Sequence, residues 1–63
     1  MNIEQLIVLL KINIGPAYFT GAAMDHVKTL MDWDLVYEQE DWVLSEKGEK
    51  FCDSVLKYAN DNL

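Results

Sequence analysis

Hydrophobic residues near the start of the chain recur at the spacing of an α-helix. Intervals of three and four residues place one apolar stripe along a helix face, which predicts that this face packs on the core. The stripe consists of Ile3, Leu6, Ile7, Leu10 and Ile14. Asn2 can cap the start of this helix, and Gly15 followed by Pro16 predicts its end.

The other side of the same helix is also apolar. Val8, Leu9 and Ile12 lie roughly opposite the first stripe when each residue turns the helix by about 100°. Either the helix is covered on both sides within the domain, or this second face packs on another chain. A chain of 63 residues has few elements to cover both sides. We therefore expect a homodimer, or an obligate partner, with Val8, Leu9 and Ile12 as the interface.

A short connector and a second helix follow. The segment PAYFTG favours extended backbone, either as a linker or as a third strand beside the later hairpin. Thr20 can cap a second helix over about residues 21 to 33. Its predicted inner stripe consists of Met24, Val27, Leu30 and Met31.

The remaining pattern predicts a β-hairpin and a third helix. The triplets LVY (35–37) and WVL (42–44) favour strands and are separated by the polar loop EQED. Alternation along the second strand turns Trp42 inward together with Leu44. Ser45 stands where a helix cap is needed. The inner face of the last helix is predicted to carry Phe51, Val55 and Tyr58 or Ala59, with Cys52 just beside it as a small core residue.

This order of elements, with the segment LVYEQEDWVLSEKGEKF, resembles the winged-helix superfamily. Leu35-Val36 matches the hydrophobic-Val pair that follows the recognition helix, and Ser45-Glu46-Lys47-Gly48 matches the capped start of the last helix. The resemblance implies an α+β fold of winged-helix type, with three helices and a two- or three-stranded β-wing in one domain over residues 1–63. Residues 15–20 leave no room for the helix that usually precedes the recognition helix, so the motif is truncated. In style and size the chain also resembles accessory proteins of bacteriophages.

Charge argues against DNA as the partner. The formal net charge is −6 and the chain contains no arginine, so phosphate neutralisation and the commonest base contact are both missing. An acidic surface instead attracts a basic protein. We expect a non-enzymatic interaction module, a phage-type regulator or inhibitor of a host protein, that binds through an acidic surface. The predicted partner-binding residues are Asp25, Asp32, Trp33, Asp34, Glu38, Glu40 and Asp41.

The alternative is a DNA-binding transcription regulator of winged-helix type. In that case the second helix would enter a groove and lysines of the third helix would contact phosphates. The residues required for this alternative are His26, Lys28, Thr29, Lys47 and Lys50.

Catalytic, metal and cofactor sites are not expected. His26 and Cys52 are the only residues of their kind, and no recognisable signature pairs either with an orienting carboxylate. The acidic residues lack the spacing and central glycine of a calcium loop. The first apolar run is too short to span a bilayer and has neither a basic region before it nor a cleavage site. With a single cysteine, these features lead us to expect a cytoplasmic protein.

Overall fold

A computed structural model of the chain describes residues 1–62 and shows three helices and one antiparallel hairpin. The elements are α1 (Ile3–Ile14), α2 (Ala22–Asp32), β1 (Val36–Gln39), β2 (Asp41–Leu44) and α3 (Glu46–Asp61). The α+β class is therefore confirmed, and the order is compatible with a winged-helix-like layout. Within residues 1–62 the sheet has two strands, so residues 16–20 are a connector and not a third strand.

The caps of α1 and α3 are as predicted. In α1 the backbone N–H of Gln5 donates to Asn2 Oδ1 at 2.8 Å, and the backbone N–H of Asn2 donates to Gln5 Oε1 at 2.9 Å. In α3 the backbone N–H of Gly48 donates to Ser45 Oγ at 3.0 Å. Each cap satisfies backbone donors that the first turn of a helix leaves without a partner.

The start of α2 differs from the prediction. Gly21 occupies the cap position with a φ of 61°, and no side chain caps this helix, so the proposed cap by Thr20 is wrong. A left-handed backbone costs glycine little, and the turn brings the N–H of Met24 to the carbonyl of Gly21 at 3.1 Å. A backbone turn has taken the place of a side-chain cap.

The core is built from one face of α1, α2, the hairpin and α3. Its buried residues are Val8, Leu9, Ile12, Val27, Leu30, Leu35, Val36, Leu44 and Cys52. Leu9, Val27 and Leu30 have no exposed surface. Cys52 is buried in this core, as predicted.

The predicted orientation of α1 is wrong. Val8, Leu9 and Ile12, the expected oligomer interface, are buried inside the protomer and cannot contact another chain. Three of the five side chains predicted to fill the core are exposed instead: Ile3, Ile7 and Ile14 are 66%, 46% and 86% exposed. Leu6 and Leu10 are half-buried, and Leu10 packs against the core. Because α1 is apolar around most of its circumference, periodicity could not choose between the faces. Packing against α2, β2 and α3 made the choice.

Two smaller corrections concern α2 and α3. Met31 was assigned to the core but is 44% exposed, whereas Met24 packs against the core as predicted. In α3 the buried stripe contains Gly48 and Cys52, one position on from the predicted Phe51, which is exposed. Gly48 decides this rotation, because its Cα lies against the backbone carbonyl of Leu35, where only a residue without a side chain fits.

The hairpin pairs in a register that explains its burial. Val36 lies opposite Leu44, and both are buried. Glu38 lies opposite Trp42. This pair is on the same face of the sheet as Val36 and Leu44, because alternate residues along a strand share a face. Trp42 is half-buried against the core, which confirms the prediction that it points inward with Leu44. The turn is tighter than a four-residue loop: Glu40 alone separates the strands, with a left-handed φ of 62°.

Candidate functional site

A groove at the tip of the hairpin brings acidic and aromatic side chains together. It lies between the connector after α1 and the turn of the hairpin. Its lining consists of Ala17, Tyr18, Phe19, Met24, Glu38, Glu40, Asp41 and Trp42. Phe19, Met24 and Trp42 pack against the core, whereas the Tyr18 side chain is 91% exposed. The groove therefore has a fixed apolar floor and one aromatic side chain that is open to solvent.

Local structure explains why three acidic residues line one groove. Glu38 lies opposite Trp42, and Asp41 lies opposite Gln39 across the one-residue turn at Glu40. A turn this short keeps all three acids within four consecutive positions at the end of the sheet. Gly15 and Pro16 end α1, and the extended connector that follows lines the same groove as these acids.

The negative charges of the groove have no positive charge beside them. No lysine or histidine lines it, and within residues 1–62 the ion pairs are His26 with Glu4 and Lys50 with Glu46. Glu38, Glu40 and Asp41 are all exposed. Three carboxylates without a cation beside them concentrate negative potential at this end of the molecule.

The other predicted partner-binding residues do not join this groove. Asp32, Trp33 and Asp34 lie at the end of α2, where the main chain is tied to α3. Lys47 Nζ donates to the Trp33 carbonyl at 3.0 Å, and Ser45 Oγ donates to the Asp34 carbonyl at 2.6 Å. These two contacts place the end of α2 beside Ser45 and Lys47 at the start of α3. Asp25 lies in the first turn of α2, where a carboxylate suits the helix dipole.

A second shallow depression shows that this region is mixed in charge. It is lined by Asp34, Ser45, Glu46, Lys47 and Lys50. The expected acidic surface therefore divides into a part without basic residues at the hairpin tip and a part beside α3 where Lys47 and Lys50 lie among the acidic residues. Sequence reasoning missed the connector side chains, although two consecutive aromatic residues, Tyr18 and Phe19, between two helices were a usable signal.

Most residues required for DNA binding have partners within the domain. His26 Nε2 is 3.5 Å from Glu4 Oε2, and the Thr29 hydroxyl donates to the Asp25 carbonyl at 3.2 Å. Lys50 Nζ is 3.3 Å from Glu46 Oε1 in the next turn of α3. Lys28 is exposed and makes no ion pair within residues 1–62. Lys28 is therefore the one residue of this set without a polar contact to another group among residues 1–62.

The candidate reactive groups are separated from solvent or from one another. Cys52 is fully buried, and burial, assisted by the neighbouring Asp53 carboxylate, raises the pKa of its thiol. A raised pKa keeps the thiol protonated and unreactive at neutral pH. Among residues 1–62, no three His, Cys, Asp or Glu side chains are grouped so that they could hold a metal ion. The helices formed by these residues are too short or too polar to cross a membrane.

Comparison with protein-family models, with curated proteins and with solved structures found no match to this chain. The groove and the exposed faces of the helices are therefore interpreted from their own chemistry.

Proposed function

We propose that this protein is a non-enzymatic interaction module that binds a basic segment of a partner protein in the groove at the hairpin tip. One observation carries the proposal: Glu38, Glu40 and Asp41 line the same groove as Tyr18 and Trp42, with no basic side chain among the lining residues. Charge attracts a cationic partner over a distance, and the aromatic floor gives it a surface to contact.

The groove suits a lysine or arginine side chain. The charged head of either residue would lie among the carboxylates, and its methylene groups would cover the apolar floor. Tyr18 supplies an exposed ring face for the cation, and a cation against an aromatic face gains about 0.5–1 kcal/mol at an exposed site. A surface loop of a basic protein can present such a side chain without refolding.

Binding of this kind would make the protein a regulator or inhibitor, because it covers a basic surface that its partner needs. The resemblance to small accessory proteins of bacteriophages agrees with that role, and a truncated winged helix is the fold proposed for it. A single buried cysteine, which needs no oxidising compartment, fits a cytoplasmic location.

A second copy of the chain remains a proposed partner of α1. The contact cannot use Val8, Leu9 and Ile12, which are in the core. It requires the opposite face of the helix, which carries Ile3, Ile7, Leu10 and Ile14.

The test is an NMR titration of the ¹⁵N-labelled protein with an oligolysine and an oligoarginine peptide, and in parallel with a 20-base-pair DNA duplex. We expect peptide-induced shifts at Tyr18, Phe19 and the Trp42 indole at about 50 mM salt, which weaken as salt rises. The variant Glu38→Gln/Glu40→Gln/Asp41→Asn should lose them.

The matched control removes three charges elsewhere: Asp25→Asn/Asp32→Asn/Asp53→Asn. If both triple variants weaken peptide binding equally, net charge alone drives it and the groove is not a site. Duplex binding with a steep salt dependence, and no response to the peptides, would favour the DNA-binding regulator instead.

A further inference from the structure

The outward face of α1 has the spacing of a helix-pairing seam. Its apolar residues lie at alternating intervals of four and three, the pattern of the core positions of a coiled coil. These seam residues are Ile3, Ile7, Leu10 and Ile14. At about 100° per residue they fall within an arc of about 60° along the whole helix. Ile3, Ile7 and Ile14 are exposed and Leu10 is half-buried.

The exposure of this stripe is not explained by the domain itself. Val8, Leu9 and Ile12 supply the part of α1 that is buried in the core, and Leu10 is the one seam residue that also packs against it. Scattered exposed apolar residues are normal on a protein surface, but a continuous branched aliphatic row marks a contact site.

We propose that the seam pairs with the seam of a second copy of this chain, with the two α1 helices antiparallel about a two-fold axis. In this arrangement Ile7 of one protomer lies against the partner's Leu10, and Ile3 lies against the partner's Ile14. The axis crosses the seam midway along the helix, level with the bond between residues 8 and 9. Each contact occurs twice, as an isologous interface requires.

The charges that flank the seam select the antiparallel direction. Glu4 and Lys11 are seven residues apart, so they lie on the same edge of the seam. An antiparallel two-fold pair brings this edge against the same edge of the partner. With a rise of about 1.5 Å per residue, Lys11 is then level to within about 3 Å with the partner's Glu4. Two such ion pairs form per dimer.

A parallel pair would lose this complementarity. It would bring the Glu4 and Lys11 edge against the other edge of the partner seam, which carries Leu6 and Asn13. Neither residue is charged, so neither can form an ion pair with the partner's Glu4 or the partner's Lys11. In the described structure the Glu4 side chain is largely exposed and contacts only His26 at 3.5 Å, so it remains open to a partner's lysine.

The size of the seam determines how tight the dimer should be. The helix is about 18 Å long, and its seam covers an area on the order of 300 Å² per protomer, below the roughly 800 Å² per partner of a stable complex. The expected dimer is therefore weak. It must be measured across concentration and not at a single dilution.

Sedimentation velocity from about 5 to 500 μM at 150 mM salt tests the proposal. The wild-type protein should shift from monomer to dimer over this range, and Ile7→Lys should remain monomeric. Met31→Lys is the matched control: Met31 lies on α2 and is 44% exposed, against 46% for Ile7. It should dimerise like the wild type. Circular dichroism of each variant verifies that the fold is retained.

Charge exchange tests the direction. Glu4→Lys and Lys11→Glu should each weaken the dimer by roughly tenfold, since each replaces both ion pairs by repulsion. A one-to-one mixture of these two variants should restore wild-type association, because every contact across the antiparallel heterodimer is again between opposite charges.

Three results would overturn the proposal. A wild-type monomer at 500 μM would remove the interface, and a dimer that Ile7→Lys leaves intact would place the interface elsewhere. A dimer that is lost in Ile7→Lys but unaffected by either charge variant would exclude the antiparallel geometry. None of these results bears on the groove, whose titration is read at Tyr18 and Trp42, so the two proposals fail separately.

Discussion

Gly48 of α3 lies directly against the backbone carbonyl of Leu35, so closely that a side chain at this position would overlap the oxygen. The same carbonyl accepts a hydrogen bond from the Ser45 N–H at 3.0 Å. This contact fixes how near α3 approaches the start of the hairpin and which of its faces meets the core.

Gly48→Ala should therefore destabilise the domain strongly. Alanine favours helix over glycine by about 1 kcal/mol, but the added methyl group must displace main chain, and overpacking costs about 1–3 kcal/mol or more. We expect a net loss of about 2 kcal/mol in the free energy of unfolding, measured by urea denaturation. Ser54→Ala, at an exposed position of the same helix, should be neutral or slightly stabilising. Equal stability of Gly48→Ala and wild type would show that α3 can move away at no cost.

Ser45 connects the end of α2 to the start of α3 through one hydroxyl, which donates to the Asp34 carbonyl and accepts from the Gly48 N–H. Ser45→Ala removes both bonds and should cost about 1–2 kcal/mol. Ser45→Thr keeps both and should retain stability, whereas Ser45→Asp keeps the cap but loses the donor and should fall between. A thermal melt of the three variants reveals the order, and an alanine variant as stable as the threonine one would contradict it.

Glu40 holds a left-handed backbone at the tip of the hairpin, where glycine is the residue that fits without strain. Glu40→Gly should raise the free energy of unfolding by about 0.5–1 kcal/mol. Glu40→Ala removes the same charge but keeps the backbone penalty, so it should not stabilise. If Glu40→Ala and Glu40→Gly stabilise the protein equally, the cause is the loss of charge repulsion with Asp41. Relief of the left-handed backbone strain would then contribute nothing.

Leu9 and Ile7 are only two positions apart in sequence but face opposite sides of α1. Leu9→Ala should cost about 2–5 kcal/mol, because the side chain is fully buried and its loss leaves a cavity. Ile7→Ala should change stability by less than about 1 kcal/mol, since its side chain is half in solvent already. Denaturant titrations at a few micromolar, where a weak dimer is dissociated, keep the comparison free of association.

The buried thiol of Cys52 should make stability depend on alkaline pH. The pKa of this thiol is raised in the folded state, so above pH ~8.5 the unfolded chain loses the thiol proton first. Loss of this proton stabilises the unfolded state relative to the folded one. The stabilising contribution is complete below that pH and declines as pH rises through the folded pKa. The loss of stability between pH 7 and pH 10 should be larger in the wild type than in Cys52→Ala, which lacks the group. Equal losses in the two proteins would mean that the thiol is accessible to water.

Local features of the sequence were sufficient to predict most of the elements. Asn2 and Ser45 cap helices in their own neighbourhood, and the alternation of Trp42 and Leu44 defines the inner face of a strand, so neighbouring residues carry the information. The cap of α2 was predicted wrongly because Gly21 could form a left-handed turn that removed the need for Thr20. The sequence also indicated an acidic surface, but the grouping of Glu38, Glu40 and Asp41 with Tyr18 depends on a connector whose path is not local.

Local sequence is sufficient to predict that α1 forms, where it begins and ends, and that it has two apolar faces. Which face is buried depends on the packing of the whole domain, which buries Val8, Leu9 and Ile12 and leaves Ile3, Ile7 and Ile14 exposed. The physical reason is that burial of apolar area stabilises either face by a similar amount per unit area. The choice then depends on the shapes offered by α2, the hairpin and α3, which are distant in sequence and fix the rotation of α1 together.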